Sequence, residues 1–95
     1  MGWKWAPFFV LDRLAERGLE PYEVMQVLNG ERRWPRRGTD SIGLQALTIW
    51  GRTPTGRALL VALRPLAGRD WEIVGARDLT ASELVELEKW EAGRG

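Results

Sequence analysis

The side chains of this sequence that are best suited to chemistry are its arginines. All but two of its 14 cationic residues are arginine, and the exceptions are Lys4 and Lys89. A guanidinium group is a rigid fork that makes two parallel hydrogen bonds to a phosphate or a carboxylate. A gene rich in G and C would also raise the arginine content, so this composition favours an anionic ligand without establishing a nucleic-acid partner.

Four charged residues are candidates for a catalytic site: Arg52, Arg57, Arg77 and Glu83. Arg52 and Arg57 flank a predicted hairpin turn, which would place both guanidinium groups on one side, although a solvated turn explains them as well. Arg77 ends a predicted strand beside the start of a helix, where backbone amides favour anions; the alternative is a surface ion pair with Asp78 or Glu83. Glu83 is a candidate proton acceptor and equally a helix-capping residue.

The alternation of residues 71–77 adds a geometric argument for Arg77. In a regular strand it places Trp71, Ile73, Gly75 and Arg77 on one face. Gly75 has no side chain and would leave a depression beside Arg77 in which a phosphate can settle. We therefore expect Arg77 to be the most function-sensitive residue of the surface.

A second group of arginines lies between residues 30 and 38, a segment with glycine at both ends and a proline inside. Its turn-forming residues predict a loop, or at most an edge strand. Basic side chains around an aromatic ring suit phosphate contact together with base stacking, whereas the alternative is a mobile solvated loop. The candidate nucleic-acid-binding residues are Arg32, Arg33, Trp34, Arg36 and Arg37.

The sequence lacks residue types that many enzymes use. It has no cysteine and no histidine, which excludes disulfides, thiolate ligands, a thiol nucleophile and an imidazole base. The acidic residues show no clustered metal-ligand spacing, so we expect no metal and no cofactor, and any catalysis would be independent of divalent metals. No apolar run is long enough to span a membrane and the N-terminus lacks signal-peptide features, so the expected location is the cytoplasm.

The first 30 residues predict a helical hairpin. An apolar stripe at helical spacing follows Pro7 and ends at Gly18, a natural C-cap. The stripe consists of Phe8, Leu11, Leu14 and Ala15. A second, shorter helix is predicted over residues 20–28, and its apolar face consists of Val24, Val27 and Leu28.

Strand-like patterns replace the helical ones after residue 43. Residues 44–50, 57–64 and 71–76 predict three strands joined by turns. Thr80 and Glu83 form a capping box that marks the start of a C-terminal helix. The apolar residues of that helix are Leu84, Val85, Leu87 and Trp90. The expected fold is therefore α+β, with two N-terminal helices packed on a three- to four-stranded antiparallel sheet and a C-terminal helix, in a single domain of residues 1–95.

Tryptophan is unusually frequent, with six residues in the chain. Most of them are expected in the core or at its margins. Trp3 and Trp5, close to the N-terminus, suit the docking of a partner equally well, because aromatic residues are enriched at interfaces.

The order of these elements, together with several short motifs, resembles the BrnT-like toxins of bacterial toxin–antitoxin systems. The C-terminal half has Gly-Arg pairs at residues 51–52 and 56–57, an Ala-Arg pair at residues 76–77, and the Thr-x-x-Glu start of the last helix. The residues of the N-terminal half that line up with the family are Trp5, Pro7, Leu14, Gly18, Leu19 and Glu23. The resemblance covers most of the chain, from Trp5 to Trp90.

This resemblance implies a RelE-like fold that cleaves RNA without a metal. It also implies a cognate antitoxin with a ribbon-helix-helix DNA-binding domain, which would hold the toxin inactive in a hetero-oligomer; a dimer of the chain is possible as well. In such a reaction guanidinium groups stabilise charge on the phosphate, and a carboxylate such as Glu83 accepts the proton of the 2′-hydroxyl.

The chain departs from the family where lysine, asparagine and a lysine-histidine pair are usual. At these positions it has Phe9, Arg13, Glu16 and Arg17. These differences favour a second hypothesis, a catalytically silent module of the same fold that binds protein or nucleic acid, whereas the Gly-Arg and Ala-Arg pairs favour the ribonuclease toxin. An α+β interaction domain unrelated to the family is a third hypothesis.

Overall fold

The chain folds into three layers, with a sheet between two layers of helices. A computed structural model describes residues 3–6, 9–39, 45–66, 68 and 70–93. The strands within this part of the chain are β1 (Trp3–Trp5), β2 (Trp34–Thr39), β3 (Gln45–Arg52), β4 (Ala58–Pro65) and β5 (Trp71–Asp78). The helices are α1 (Phe9–Glu16), α2 (Pro21–Leu28) and α3 (Ala81–Gly93). The predicted α+β class is confirmed.

The sheet is mixed and, over the described residues, has five strands in the order β1-β5-β4-β3-β2. The prediction of three or four antiparallel strands is therefore wrong, because β1 adds a strand that runs parallel to β5. Three residues are too few to show a strand-like alternation in the sequence. At the other edge, β2 pairs antiparallel with β3, so the arginine-rich segment forms the edge strand that the sequence allowed.

One face of the sheet packs against α1 and α2 and forms the main core. The buried residues of this core are Leu14, Leu19, Val24, Val27, Leu28, Ile49, Leu59, Val61, Leu63, Ile73 and Ala76. Trp3, Trp5 and Trp71 are partly buried against it. Trp3 and Trp5 therefore lie at the margin of the core, which was one of the two alternatives for them.

A glycine cap joins the helical hairpin to the sheet. Gly18 has a φ of 69°, in the left-handed region that glycine adopts without strain. The N–H of Leu19 donates to the carbonyl of Leu14 at 2.9 Å, which satisfies a carbonyl of the last helical turn. Arg17 Nη1 donates to the carbonyl of Ala76 at 2.8 Å, so the end of α1 is fixed to β5.

The buried side of α1 is displaced by one position from the predicted stripe. Leu14 is buried as expected, but its partner one turn earlier is Val10, while Leu11 is 39% exposed and Ala15 is exposed. The spacing from residue 10 to 14 equals that from 11 to 15, so periodicity alone does not separate the two stripes. Three residues that were predicted to belong to elements lie outside the described part of the chain: Pro7 and Phe8 of the first helix and Leu44 of the first predicted strand.

Helix α3 lies over the opposite face of the sheet and begins with the predicted capping box. The N–H of Thr80 donates to the Glu83 carboxylate at 2.8 Å, and the N–H of Glu83 donates to the Thr80 hydroxyl at 3.3 Å. Leu87 is fully buried, whereas Val85 is 49% exposed. Burial of one leucine stabilises the docked helix by about 2 kcal/mol, so polar contacts must supply much of its specificity.

A β-bulge in β5 decides which residues share a face. Between Ile73 and Gly75, which both have partners on β4, Val74 has none. The extra residue reverses the alternation, so Trp71 and Ile73 face the main core while Gly75 and Arg77 lie on the α3 side. The prediction that all four share one face is therefore wrong, because a period of two holds only in a strand without a bulge.

Candidate nucleic-acid interface

Arg77 makes a bidentate ion pair with Glu83 at the start of α3. Its Nη1 lies 2.6 Å from Oε1 and its Nη2 lies 2.9 Å from Oε2. The hydrogen bonds from Arg77, helped by the backbone N–H of Thr80 and opposed by partial burial, lower the pKa of Glu83 to about 2. A carboxylate with so low a pKa is a weak proton acceptor near neutral pH. The space beside Arg77 is open, as predicted, because a Cβ on Gly75 would meet no atom within 4 Å.

Arg57 ties the β3–β4 turn to the helical hairpin. Its Nε and Nη2 lie 2.8 and 3.0 Å from the two carboxylate oxygens of Asp78. Nη1 donates to the carbonyl of Gly18 at 2.9 Å and lies 3.4 Å from the carboxylate of Glu23. The hydrogen bonds to Asp78 raise the pKa of Arg57 and lower that of Asp78. Arg57 is therefore a structural clamp on the α1–α2 side of the sheet.

Arg52, at the other end of the same turn, pairs with α3. Its Nε and Nη2 lie 2.9 and 3.2 Å from the carboxylate oxygens of Glu91, and Nη1 donates to the carbonyl of Gly56 at 3.1 Å. The hydrogen bond with Glu91 raises the pKa of Arg52. Arg52 and Arg57 thus reach opposite layers, and the turn does not collect their guanidinium groups on one side.

The predicted nucleic-acid-binding segment divides into paired and unpaired arginines. Arg33 donates to the carbonyl of Leu28, and Arg36 Nη1 lies 3.2 Å from Glu86 Oε2. Arg32 and Arg37 are exposed, and neither has an ion pair or hydrogen bond with any described residue. These two guanidinium groups are therefore available to a ligand.

Three tryptophans and one arginine form a cluster under α3, which we call the tryptophan cluster: Trp34, Trp50, Trp90 and Arg36. Trp34 stacks on Trp90 with ring centroids 5.3 Å apart and an interplanar angle of 5°. It meets Trp50 edge to face at 5.5 Å, and Arg36 lies 4.5 and 4.7 Å from the centroids of Trp34 and Trp50. The Trp34 ring, which was predicted to stack on a base, is therefore occupied by contacts within the protein.

The acidic side of α3 is a feature that the sequence reasoning missed. Three of its glutamates each pair with an arginine of a different strand. These pairs, which we call the α3 ion pairs, are Arg77 with Glu83, Arg36 with Glu86, and Arg52 with Glu91. The sequence did contain this pattern, because glutamates at positions 83, 86 and 91 of a helix lie on one side of it.

Pro35 is the second residue of β2, on the exposed edge of the sheet. It pairs with Ile49 on β3, and a proline has no N–H with which to hydrogen-bond another strand. Proline and charged side chains are the usual means by which proteins prevent an edge strand from pairing with a second chain. The edge of β2 is therefore better suited to side-chain contacts than to the addition of a strand.

An open cavity of about 440 Å³ lies beside this edge, between the end of α2, the end of β3 and α3. The charged residues that line it are Glu31, Arg32, Arg52 and Glu91.

Over the described residues, no group of three or more acidic side chains is placed to hold a metal ion. Within the same part of the chain, no helix combines the length and the apolar character needed to cross a membrane.

Comparison of the chain with protein-family models and with curated proteins gave no match. The resemblance to BrnT-like toxins therefore rests on the sequence motifs described above.

Proposed function

We propose that this chain is a nucleic-acid-binding module that binds RNA without cleaving it, through the arginine-rich edge of β2. The observation that carries the proposal is the contrast between two sets of arginines. The three candidate catalytic arginines are each held by a carboxylate, whereas Arg32 and Arg37 are exposed and without a partner among the described residues. These free guanidinium groups, one on β2 and one in the turn just before it, can bind phosphates at no cost to internal contacts.

Two further features support binding to RNA over the alternatives. Pro35 weakens strand addition, which is the usual way for a protein partner to use a sheet edge. The low pKa of Glu83 and its contact with Arg77 make the proton acceptor that the sequence suggested a weak base near neutral pH. The first feature disfavours a protein partner at this edge, and the second disfavours the ribonuclease.

The test replaces the two available arginines and measures binding to a labelled single-stranded RNA. We expect the double variant Arg32→Gln, Arg37→Gln to weaken binding about tenfold and to reduce the salt dependence of log Kd by about 1.4, the loss of two phosphate contacts. The matched control, Lys4→Gln with Lys89→Gln, removes two charges from β1 and α3. Equal weakening by both double variants would show that only net charge matters, and would contradict the proposal.

The resemblance gives a second candidate function, a toxin that cleaves RNA without a metal and is neutralised by a cognate antitoxin of the ribbon-helix-helix class. The cavity beside β2 favours it, because arginine and glutamate side chains line one concave surface there. Growth arrest on expression, together with RNA cleavage in excess chelator that is lost in Arg52→Gln, would support this candidate. A chain that binds RNA, leaves it intact and does not arrest growth is the module proposed first.

A further inference from the structure

Helix α3 places chemical groups on the sheet that resemble those of a nucleic acid. Carboxylates meet the guanidinium groups of Arg36, Arg52 and Arg77, where phosphates would also bind. A flat indole, Trp90, stacks on Trp34 at an interplanar angle of 5°, where a base would also stack. The helix thus offers anions and an aromatic ring to a surface that contains arginines and tryptophans.

We propose that the sheet face beneath α3 is a second binding site for single-stranded RNA, and that α3 is a displaceable occupant of this site. The inference rests on the proposed function for its class of ligand, but it assigns a different surface. In the structure, α3 covers this site, so an RNA strand would first contact the edge of β2.

The sheet face has the composition of a platform for single strands. The register pairs Trp34 with Trp50, and Arg36 lies two residues from Trp34, so all three share the α3 side of β2 and β3. Arg77 lies on the same side of β5, beside the open space over Gly75. Sheets that bind single-stranded RNA use aromatic rings on neighbouring strands to stack bases, with cationic groups around them for the phosphates.

The attachment of α3 is of a kind that a polyanion can replace. The main core, as formed by the described residues, includes no residue of α3. Each of the α3 ion pairs is partly open to solvent; in the Arg36 pair, for example, the arginine side chain is 36% exposed and that of Glu86 is 53% exposed. Salt and competing anions weaken pairs with this exposure.

The main test weakens the α3 ion pairs without changing the sheet. Glu86→Gln with Glu91→Gln frees Arg36 and Arg52 and leaves the capping residue Glu83 in place. The control, Asp12→Asn with Glu16→Gln, removes the same charge from exposed positions on α1. The probe is a fluorescein-labelled oligouridylate of about twelve nucleotides, read by anisotropy, with an RNA duplex of equal length as competitor.

We expect the α3 variant to bind the oligouridylate about tenfold more tightly than the unmodified protein, and the duplex to compete poorly, because stacking requires unpaired bases. Adding Arg52→Gln to the α3 variant should reverse the gain. Equal tightening in the control, or equal competition by the duplex, would overturn the inference.

The outcome also separates this inference from the proposed function. Binding that depends on Arg32 and Arg37, together with an α3 variant that behaves like its control, would support the site of these two arginines (the edge site). The same result would reject the site beneath α3 (the masked site). If only the α3 variant binds, the masked site stands and the edge site is rejected.

A measurement on the unmodified protein does not depend on the stability of any variant. In hydrogen exchange, saturation with the oligouridylate should speed exchange of the amides of residues 81–93 while those of β3 and β4 stay protected. Unchanged or slower exchange in residues 81–93 would mean that α3 stays docked, and would reject the displacement.

Discussion

At the scale of single residues, arginines with similar sequence contexts have different roles, and the difference lies in their partners. Arg57 is the clearest structural case, because one guanidinium group contacts Asp78, Glu23 and the carbonyl of Gly18. We expect Arg57→Lys, which keeps the charge but loses the fork, to lower the free energy of unfolding by about 1–2 kcal/mol in urea titrations. Arg37→Lys, at an exposed position, should change it by no more than about 0.5 kcal/mol.

The low pKa of Glu83 leads to a prediction about how stability depends on pH. Its folded pKa of about 2 lies below the ordinary value of 4.5, so its ion pair stabilises the folded state fully above about pH 5. That stabilisation is lost progressively as the pH falls towards 2. Glu83→Gln retains the capping bond, so we expect it to cost about 1 kcal/mol at pH 7 and clearly less near pH 3.

Urea titrations of both proteins at the two pH values test this prediction. Glu88→Gln, on an exposed part of the same helix, is the control and should show no such trend. A cost of Glu83→Gln that stays the same at both pH values would show that the ion pair with Arg77 does not contribute.

Single-residue features were predictable from the sequence when their partners are local. The two residues of the Thr80–Glu83 capping box are three positions apart, and this spacing predicts the capping box directly. The partners of Arg57 lie up to 40 residues away, and no spacing identifies them. For the same reason the sequence did not separate two hypotheses for Arg77, a surface ion pair and a phosphate contact. The fold shows that Arg77 pairs with Glu83.

At the scale of elements, the edge strand β2 makes the most direct prediction. Pro35→Val would restore an N–H on an exposed edge and add strand propensity. We therefore expect this variant to self-associate more strongly than the unmodified protein in sedimentation velocity. Pro54→Val adds the same side chain in the β3–β4 turn, outside any strand, and should not. Equal association of both variants would show that added apolar surface, and not the edge, is responsible.

The elements that the sequence did not predict share a physical cause. β1 is three residues long and exists because it pairs with β5, a contact between residues about 70 positions apart. The bulge at Val74 is fixed by the pairing of β5 with β4; the adjacent apolar residues Ile73 and Val74 and the glycine at position 75 depart from simple alternation, but they do not by themselves locate the extra residue. Helices α2 and α3 were predicted well, because caps and apolar spacing are local.

At the scale of the whole molecule, the composition makes a prediction about binding. The chain has no histidine, so no side chain of ordinary pKa titrates between about pH 6 and pH 8. We expect the Kd for single-stranded RNA to change less than about twofold over this range, apart from any effect of a terminal amine. Binding titrations in buffers of equal ionic strength test this. A larger change would mean that a group with a strongly shifted pKa takes part in binding.

The stacked pair of Trp34 and Trp90 joins the sheet to α3, and it gives the molecule an optical signature. The excited states of two indoles whose centroids lie 5.3 Å apart are coupled, and this coupling contributes to the far-ultraviolet circular dichroism. The coupling vanishes when the rings separate, whether or not the helix itself unwinds. The protein therefore reports the docking of α3 without a label, and Trp90→Leu provides the reference spectrum, in which only the coupling of Trp34 with Trp50 remains.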